Sequence, residues 1–216
     1  TLGADFILHG STGAGNDQVR FEVAIAATRP DIPTWAPIRD LGITRQQSTD
    51  YLRGCDFVVE DKTTDYSINA GLWGVTIGGK ETHDPAAYPP SEAWPTTVEP
   101  EQAPVAGQSI KVAFEKGLPV ALDGCEKSAL DLLETLRSVG EEHGIGRDIH
   151  LGDTILGIKG RIAFEAPAAA ILIPAHRELE KLVLSRLQLF HKNQMGELYG
   201  MLLHEAGWFD PVVRDI

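Results

Sequence analysis

The sequence contains little that would indicate a secreted or membrane-embedded protein. It has only two cysteines, Cys55 and Cys125, which are far apart and form neither a metal-binding nor a redox motif. This cysteine usage indicates a reducing compartment, so we expect a cytoplasmic location. No uncharged apolar run reaches the roughly 18 residues that a membrane helix needs, and the first residues do not resemble a signal peptide.

Positive charge is also scarce. The chain has 19 Lys and Arg residues against 31 Asp and Glu residues, which gives a net charge of −12. An anionic partner would be repelled by this excess, so we expect neither nucleic acid nor an anionic membrane as a partner. The seven histidines include no pair at H-x-H or H-x-x-x-H spacing, and no protein-bound metal site is predicted.

The length of 216 residues suits one large domain or two small ones. Hydrophobic residues make up 43% of the chain and charged residues 23%, which is ordinary for a globular protein. The sequence begins at Thr1, without a methionine and close to a predicted strand. We therefore expect it to be a piece of a longer protein.

A glycine-rich turn near the start carries the clearest functional signal. A short apolar run, Phe6–Leu8, predicts a strand, and residues 16–28 predict a helix that is almost entirely apolar and therefore buried. Between them lie Gly10, Gly13 and Gly15. A strand, glycine turn and helix in this order aim backbone N–H groups and a positive helix end at one point, which predicts an anion site.

Polar residues follow the turn immediately. Asn16 is a candidate N-cap, and it lies four residues before Arg20, so the two share a helix face beside the Asp17 carboxylate. The turn is not a Walker P-loop, which needs Lys-Ser/Thr where Asn16 and Asp17 stand, and its glycine spacing is not that of a dinucleotide fold. A glycine-rich connector before a capped helix remains the alternative interpretation.

The predicted elements place this turn in an α/β fold. Strands at 6–8, 34–38 and 57–59 alternate with helices at 16–28 and 44–52, which predicts part of a parallel sheet over residues 1–61. The turn then lies at the carboxyl end of the first strand, where ligands bind in such sheets.

Residues 62–216 predict a second, α+β domain. Residues 61–108 are predicted to contain little regular structure, and prolines between positions 85 and 104 interrupt any periodicity there. The later elements are a hairpin over 110–122, a helix over 128–144, strands at 148–151, 154–158 and 168–173, and helices from 174 and over 192–205.

The segment from His9 to Glu22 resembles the central signature of the argininosuccinate synthase family, whose members join citrulline to aspartate at the expense of ATP. It matches His-Gly-x-Thr-Gly-x-Gly-Asn-Asp-Gln-Val-Arg-Phe-Glu. Similar stretches continue along the chain at Tyr66-Ser67, Leu72–Gly74, Phe114–Leu122, His143–Arg147, Glu165-x-Pro167 and Gly207–Phe209. The resemblance implies that residues 1–61 are the C-terminal half of a nucleotide-binding domain and that residues 62–216 are a synthetase domain.

The resemblance also implies roles for particular residues. The implied ATP-binding residues are Gly10, Thr12, Gly13, Gly15 and Asn16. The implied aspartate-binding residues are Thr12, Asn16 and Asp17, and the implied citrulline-binding residues are Asn16, Arg20 and Ser67. Thr76 stands at the position of a further substrate-binding residue, a serine in the family. The implied reaction yields argininosuccinate, AMP and pyrophosphate for arginine biosynthesis, with Mg²⁺ accompanying ATP and without a covalent protein nucleophile.

The sequence departs from the family pattern in several places. The family's N-terminal Ser-Gly-Gly-x-Asp-Ser/Thr loop does not occur in it, nor does the C-terminal oligomerisation tail. Gly152 replaces a citrulline-binding glutamate, Phe164 a ligand tyrosine and Ala14 a lysine of the glycine turn. We expect a homo-oligomer, or a partner chain that carries the N-terminal region. Because Gly152 and Phe164 replace ligand residues of the family, we expect a citrulline-like acceptor. The alternative is a non-catalytic relative that binds aspartate or nucleotide as a scaffold.

Overall fold

The computed structural model describes residues 3–13, 15–59 and 65–216, and the chain divides into two compact units. The first unit comprises Thr1–Thr64, Gly152–Lys159 and Leu187–Ile216, and the second comprises Asp65–Leu151 and Gly160–Arg186. The predicted domain boundary between residues 61 and 62 lies outside the described residues. The first unit thus includes two segments that are distant in sequence from its N-terminal part.

The helices and strands alternate irregularly along the chain. In order they are β1 (Ile7–Leu8), α1 (Asp17–Thr28), β2 (Thr34–Trp35), α2 (Pro37–Asp40), α3 (Arg45–Gly54), β3 (Ser67–Gly71), β4 (Gly74–Gly78), β5 (Val112–Glu115), β6 (Leu118–Leu122), β7 (Cys125–Glu126), α4 (Ala129–Glu142), β8 (Arg147–Asp153), β9 (Lys159–Glu165), α5 (Pro167–Val183), α6 (Arg186–His204) and α7 (Val212–Asp215).

The described strands form three sheets. Strands β1 and β2 pair in parallel, with Ile7 opposite Thr34 and Leu8 opposite Trp35. The other two sheets have the orders β3-β4-β9-β8 and β5-β6-β7. The β3–β4, β4–β9, β5–β6 and β6–β7 pairs are antiparallel. The molecule is therefore a mixed α/β structure, as the sequence predicts at that level. No helix among the described residues has the length and hydropathy to cross a bilayer.

The predictions for the first unit are partly wrong. Residues 57–59 do not form a strand, and the side chain of Val58 is 97% exposed. An apolar run becomes a strand only where a neighbouring strand supplies backbone hydrogen bonds. Here the Phe57 N–H donates at 3.0 Å to the Leu52 carbonyl of α3 instead. Helix α1 is not buried either, since Phe21 is 51% exposed and Gln18 is its one buried residue.

Other predictions for this unit are confirmed. The strand beginning at Thr34 exists, although it ends at Trp35 because Pro37 starts a short helix. Helix α3 begins as expected after Thr44. The Thr44 hydroxyl accepts from the Gln47 backbone N–H at 3.2 Å, and the Gln47 side chain accepts from the Thr44 N–H at 2.8 Å.

The second unit contains both hydrophobic clusters of buried residues. One joins Leu122 on β6, Leu132 and Leu136 on α4 and Leu172 on α5. The other joins β4 and β9 around Ile77, which is fully buried. The predicted hairpin and the helix after Ser128 are confirmed, and the Ser128 hydroxyl accepts from the Asp131 N–H at 3.2 Å.

Three predictions for the later part of the chain are wrong, two in the second unit and one at residues 154–158 of the first unit. Residues 67–78 form a hairpin where irregular structure is expected, because Gly74 lets the chain pass closely over β9. A Cβ at Gly74, whose φ is 154°, would overlap the Glu165 carbonyl oxygen. The strand predicted at 168–173 is part of α5, since Pro167 at N1 and an alanine run favour a helix. Residues 154–158 are the turn before β9.

A buried carboxylate fixes the proline-rich segment to the four-stranded sheet. Glu165 on β9 is fully buried and accepts hydrogen bonds from the backbone N–H and hydroxyl groups of Thr96 and Thr97. Arg147 extends this network by donating to the Thr97 carbonyl at 2.6 Å and to the Glu99 carboxylate at 2.8 Å. The irregular segment thus depends on one side chain for four of its hydrogen bonds.

Replacing Glu165 tests this dependence. We expect Glu165→Gln to lower the free energy of unfolding by about 2–3 kcal/mol, because the new amide NH₂ would face donors and charge-assisted bonds would be lost. Glu178→Gln is the control, since Glu178 is 72% exposed, and it should change stability by less than about 0.5 kcal/mol. Urea unfolding measures both variants, and equal effects would contradict the role of Glu165.

Glu99 makes stability depend on pH. The hydrogen bond from Arg147 lowers the pKa of Glu99 below its ordinary value of 4.5. Because folding then favours the ionised Glu99 carboxylate, the contribution of Glu99 to stability is present above pH 4.5. This contribution is lost as the pH falls through the lowered pKa of the folded state. We expect the stability difference between the parent chain and Glu99→Gln to shrink between pH 6 and pH 3.5 in urea titrations. A difference that does not change with pH would contradict this assignment.

Candidate functional site

The glycine-rich turn connects β1 to α1 in the first unit. The His9 backbone N–H donates to the Trp35 carbonyl at 3.1 Å, so the chain enters the turn directly from the parallel strand pair. Thr12 is exposed, and Gly10 has open space around its Cα. A Cβ at Gly13 would touch the aliphatic stem of Arg39 at 3.6 Å. Ala14 lies outside the described residues.

Charged groups support the turn on the side of Arg39. The Arg39 guanidinium donates to Glu22 on α1 and to Asp40 at 2.8 Å. The hydrogen bond from Arg39 lowers the pKa of Asp40. The His9 ring is 11% exposed and lies 3.8 Å from the Glu22 carboxylate. These contacts connect the entrance of the turn to α1 and α2.

Asn16 occupies the N-cap position of α1 but does not cap the helix, so the predicted capping hydrogen bond is wrong. Its backbone has φ −86° and ψ −21°, whereas a capping residue is usually extended. Its Oδ1 instead accepts from the backbone N–H of Ile155 at 2.9 Å. Asn16 therefore links the turn to the segment between β8 and β9.

Arg20 contacts the end of α6. Its Nε donates to the His204 carbonyl oxygen at 3.1 Å, and its Nη2 lies 3.1 Å from Nδ1 of the His204 ring. Its Nη1 donates to Asp17 Oδ1 at 3.3 Å. The Arg20 side chain is 28% exposed and that of Asp17 is 67% exposed, so the carboxylate is accessible to a ligand while the guanidinium is held in place.

Asn16 and Arg20 meet at the same ring. Asn16 Nδ2 lies 3.4 Å from His204 Nε2, which agrees with the predicted common face of the two side chains. The Asn16 amide, the Asp17 carboxylate and the Arg20 guanidinium thus surround the first turn of α1. Hydrogen-bond donors and a carboxylate in one place are suited to an amino acid zwitterion.

Ser67 and Thr76 lie in the second unit, on β3 and β4. Ser67 is opposite Gly78, and Thr76 is opposite Asn69 on one side and Phe164 on the other. Because side chains alternate along a strand, Ser67, Asn69 and Thr76 share one face of the sheet. The chain therefore brings these two predicted ligand residues onto one surface.

A cavity of about 440 Å³ opens beside this surface. Its lining is mostly apolar and consists of residues 69–76 and 164–166. Next to Ser67, the Tyr66 hydroxyl donates to the Glu81 carboxylate. Burial and this hydrogen bond raise the pKa of Tyr66 to about 12, so Tyr66 stays neutral at physiological pH. The cavity can take an uncharged part of a ligand.

Sequence reasoning misses His204 and the Ile155 N–H. Both lie more than one hundred residues from α1, at separations of 184 and 139 residues. His204 precedes the family-like stretch Gly207–Phe209, but no local pattern connects it with Arg20. Only the folded chain reveals this contact. In the described part of the chain no group of three His, Cys, Asp or Glu side chains could hold a metal ion.

Comparison with known proteins identifies relatives along the whole chain. The profile of the arginosuccinate synthase N-terminal HUP domain matches residues 1–57, and that of the arginosuccinate synthase C-terminal domain matches residues 66–216. The argininosuccinate synthase of Rubrobacter xylanophilus is 39% identical over 212 residues, which are 98% of this chain and 52% of the relative.

Two archaeal relatives show the same coverage. The argininosuccinate synthase of Pyrobaculum aerophilum is 40% identical over 98% of this chain and 53% of its own length. That of Methanocaldococcus jannaschii is 36% identical over 100% of this chain and 54% of its own length. The chain spans about half the length of the curated relatives it matches.

The contact between Asn16 and Ile155 gives a local prediction. We expect the Ile155 amide proton to exchange about tenfold faster in Asn16→Leu, because the variant removes its acceptor. Asn16→Asp keeps an oxygen at this position and should protect the amide. The Gly157 N–H, which donates to the Thr154 carbonyl at 2.8 Å, is the internal control. Hydrogen exchange followed by NMR measures both amides, and equal exchange of Ile155 in all three proteins would contradict the contact.

Proposed function

Because the chain belongs to the argininosuccinate synthase family, we propose that it forms the aspartate- and acceptor-binding part of an ATP-dependent carbon–nitrogen ligase. The acceptor is citrulline or a related ureido compound, and the products are argininosuccinate, AMP and pyrophosphate. The arrangement that supports this proposal is the first turn of α1, where Asn16 and Arg20 are held by residues distant in sequence while Asp17 stays accessible. The reaction would serve arginine biosynthesis in the cytoplasm.

Two further parts of the proposal concern the fold and assembly. Residues 1–61 would be the C-terminal half of a parallel-sheet nucleotide-binding domain, and residues 62–216 a synthetase domain. The pairing of β1 with β2 is of the parallel type that such a domain requires. The protein would work as a homo-oligomer or with a chain that carries the Ser-Gly-Gly-x-Asp-Ser/Thr loop.

The proposed reaction has two steps. In the first, the ureido oxygen of the acceptor attacks the α-phosphorus of ATP, the bond from this phosphorus to the bridging oxygen breaks, and pyrophosphate leaves. In the second, the aspartate amine attacks the ureido carbon, AMP leaves with the former ureido oxygen, and the amine loses a proton. Both steps depend mainly on positioning and on stabilising phosphate charge, which explains why no protein nucleophile is assigned.

The residues of the first unit would position the charged groups. The N–H groups of the glycine turn, from Gly10 to Gly15, and the positive end of α1 would face phosphate oxygens. The Thr12 hydroxyl and Asn16 amide would bind aspartate carboxylate oxygens, and Asp17 would pair with its ammonium group. Arg20 would bind the carboxylate of the acceptor.

The residues of the second unit would receive the acceptor. Ser67 and Thr76 lie on one face of the sheet and offer hydroxyl groups to its polar end. Phe164, opposite Thr76, keeps an aromatic ring but lacks the hydroxyl that a family tyrosine supplies. Gly152, which belongs to the first unit, lacks the carboxylate of the family's glutamate. These two departures are the reason to include related ureido compounds among the candidate acceptors.

Magnesium would enter with the nucleotide. Mg²⁺ in such reactions is held largely by substrate phosphates and water, with one or two carboxylates. Since the described residues contain no cluster of three potential ligands, no side chain of this chain is assigned to the metal.

Pyrophosphate release tests the proposal. ATP, aspartate and citrulline are incubated with this chain alone, and then with the N-terminal half of a full-length synthase of the family added. We expect release only in the second case. Asp17→Asn should lower kcat/KM for aspartate by about a hundredfold or more, because the ammonium group loses its charged partner.

The control is Asp56→Asn. Asp56 is exposed and has a φ of 63°, which asparagine tolerates, so this variant should behave as the parent chain. Aspartate binding without pyrophosphate release, measured by calorimetry with citrulline and other ureido compounds as acceptors, would assign the chain a binding role and reject catalysis.

A further inference from the structure

His204 contacts both nitrogens on one edge of the Arg20 guanidinium, Nε and Nη2. The Nε–H donates to its carbonyl oxygen at 3.1 Å, and Nη2 lies 3.1 Å from its ring Nδ1. Nε and Nη2 carry the N–H groups of the same guanidinium edge, so these two contacts fix both the position and the tilt of the plane. The Nη1–Nη2 edge, here called the outer edge, has Asp17 at 3.3 Å from Nη1.

This contact requires one tautomer of the histidine ring. Arg20 has only donors, so Nδ1 of His204 must accept, and a neutral ring then carries its proton on Nε2. The Asn16 amide is oriented independently, because its Oδ1 accepts from the Ile155 N–H at 2.9 Å. Its Nδ2 therefore faces the ring. The 3.4 Å approach of Asn16 Nδ2 to His204 Nε2 brings together two donors.

The Asn16, His204 and Arg20 side chains together present more hydrogen-bond donors than acceptors. The Asn16 NH₂ group approaches Nε2 of the His204 ring, Arg20 contacts Nδ1 of the same ring, and in the described part of the chain Asp17 is the carboxylate that contacts Arg20. An oxygen-rich anion completes such a set, and a substrate carboxylate has the matching planar shape.

We propose that neutral His204 is a positioning residue that holds Arg20 with its outer edge toward the carboxylate of the acceptor substrate. The substrate part of this inference rests on the proposed function, whereas the orientation of Arg20 does not. Without an acceptor at the position of Nδ1, Arg20 would keep, of its two contacts with His204, only the hydrogen bond from its Nε to the His204 carbonyl and would lose its fixed orientation.

The first experiment observes the contact without any substrate. In ¹⁵N-labelled chain at pH 8, NMR should show the Nε2–H tautomer of His204 and a slowly exchanging Arg20 Nε–H signal, which Arg20→Lys identifies by its loss. In His204→Leu, which lacks the Nδ1 acceptor, the Arg20 signal should broaden or disappear, whereas in His204→Asn it should persist because the asparagine oxygen replaces Nδ1. An Nδ1–H tautomer, or an Arg20 signal that His204→Leu leaves unchanged, would overturn the inference.

The second experiment measures pyrophosphate release with the N-terminal half of a family synthase added. His204→Leu should raise KM for citrulline about tenfold with little change in KM for aspartate, as expected for loss of one hydrogen bond to a charged group. His204→Asn, which keeps an acceptor in place of Nδ1, should leave KM for citrulline within about twofold of the parent chain. His191→Asn, an exposed histidine on the same helix, is the control and should change neither constant.

The two experiments separate the possible failures. Release that is unaffected by His204→Leu would overturn the role of His204 while supporting the proposed function. Absence of release in every protein would count against the proposed function, and the NMR result would still decide whether His204 orients Arg20.

Discussion

Two side chains on the first turn of α1 hold together segments that are far apart in the sequence. Asn16 binds the backbone of Ile155, and Arg20 binds both the carbonyl and the ring of His204. The Arg20 contact also supplies donors and positive charge to the carboxyl end of α6, where unpaired carbonyls remain. The glycine turn gains a defined orientation from these contacts, although little of α1 is buried. The same residues that shape the site therefore also bring its segments together.

The second unit is organised by burial instead. Its two hydrophobic clusters join helices to sheets, and the carboxylate of Glu165 fixes the proline-rich segment through Thr96 and Thr97. A buried carboxylate is tolerated here because backbone N–H and hydroxyl donors satisfy it. The hairpin that presents Ser67 and Thr76 packs against the same strand that carries Glu165. Stability and the surface that carries Ser67 and Thr76 thus depend on one sheet.

Local patterns in the sequence predict local structure well. The caps at Thr44 and Ser128 appear where the residue types require them, and the strand before the glycine turn is present. The wrong predictions concern segments whose secondary structure depends on a neighbouring segment. Residues 57–59 have strand composition without a neighbouring strand, and residues 168–173 join a helix because Pro167 starts one. The family signature points to Asn16, Asp17 and Arg20, but the contacts with Ile155 and His204 cross most of the chain and leave no periodic signal.

The origin of the oxygen in AMP tests the central claim most directly. Citrulline labelled with ¹⁸O in the ureido group is incubated with ATP, aspartate, this chain and the N-terminal half of a family synthase, and AMP is analysed by mass spectrometry. If the acceptor oxygen attacks the α-phosphorus at this site, AMP carries the label, and Asp17→Asn suppresses labelled AMP in proportion to its loss of activity. Unlabelled AMP, or no AMP at all, would contradict the assignment of this chain to the ligase reaction.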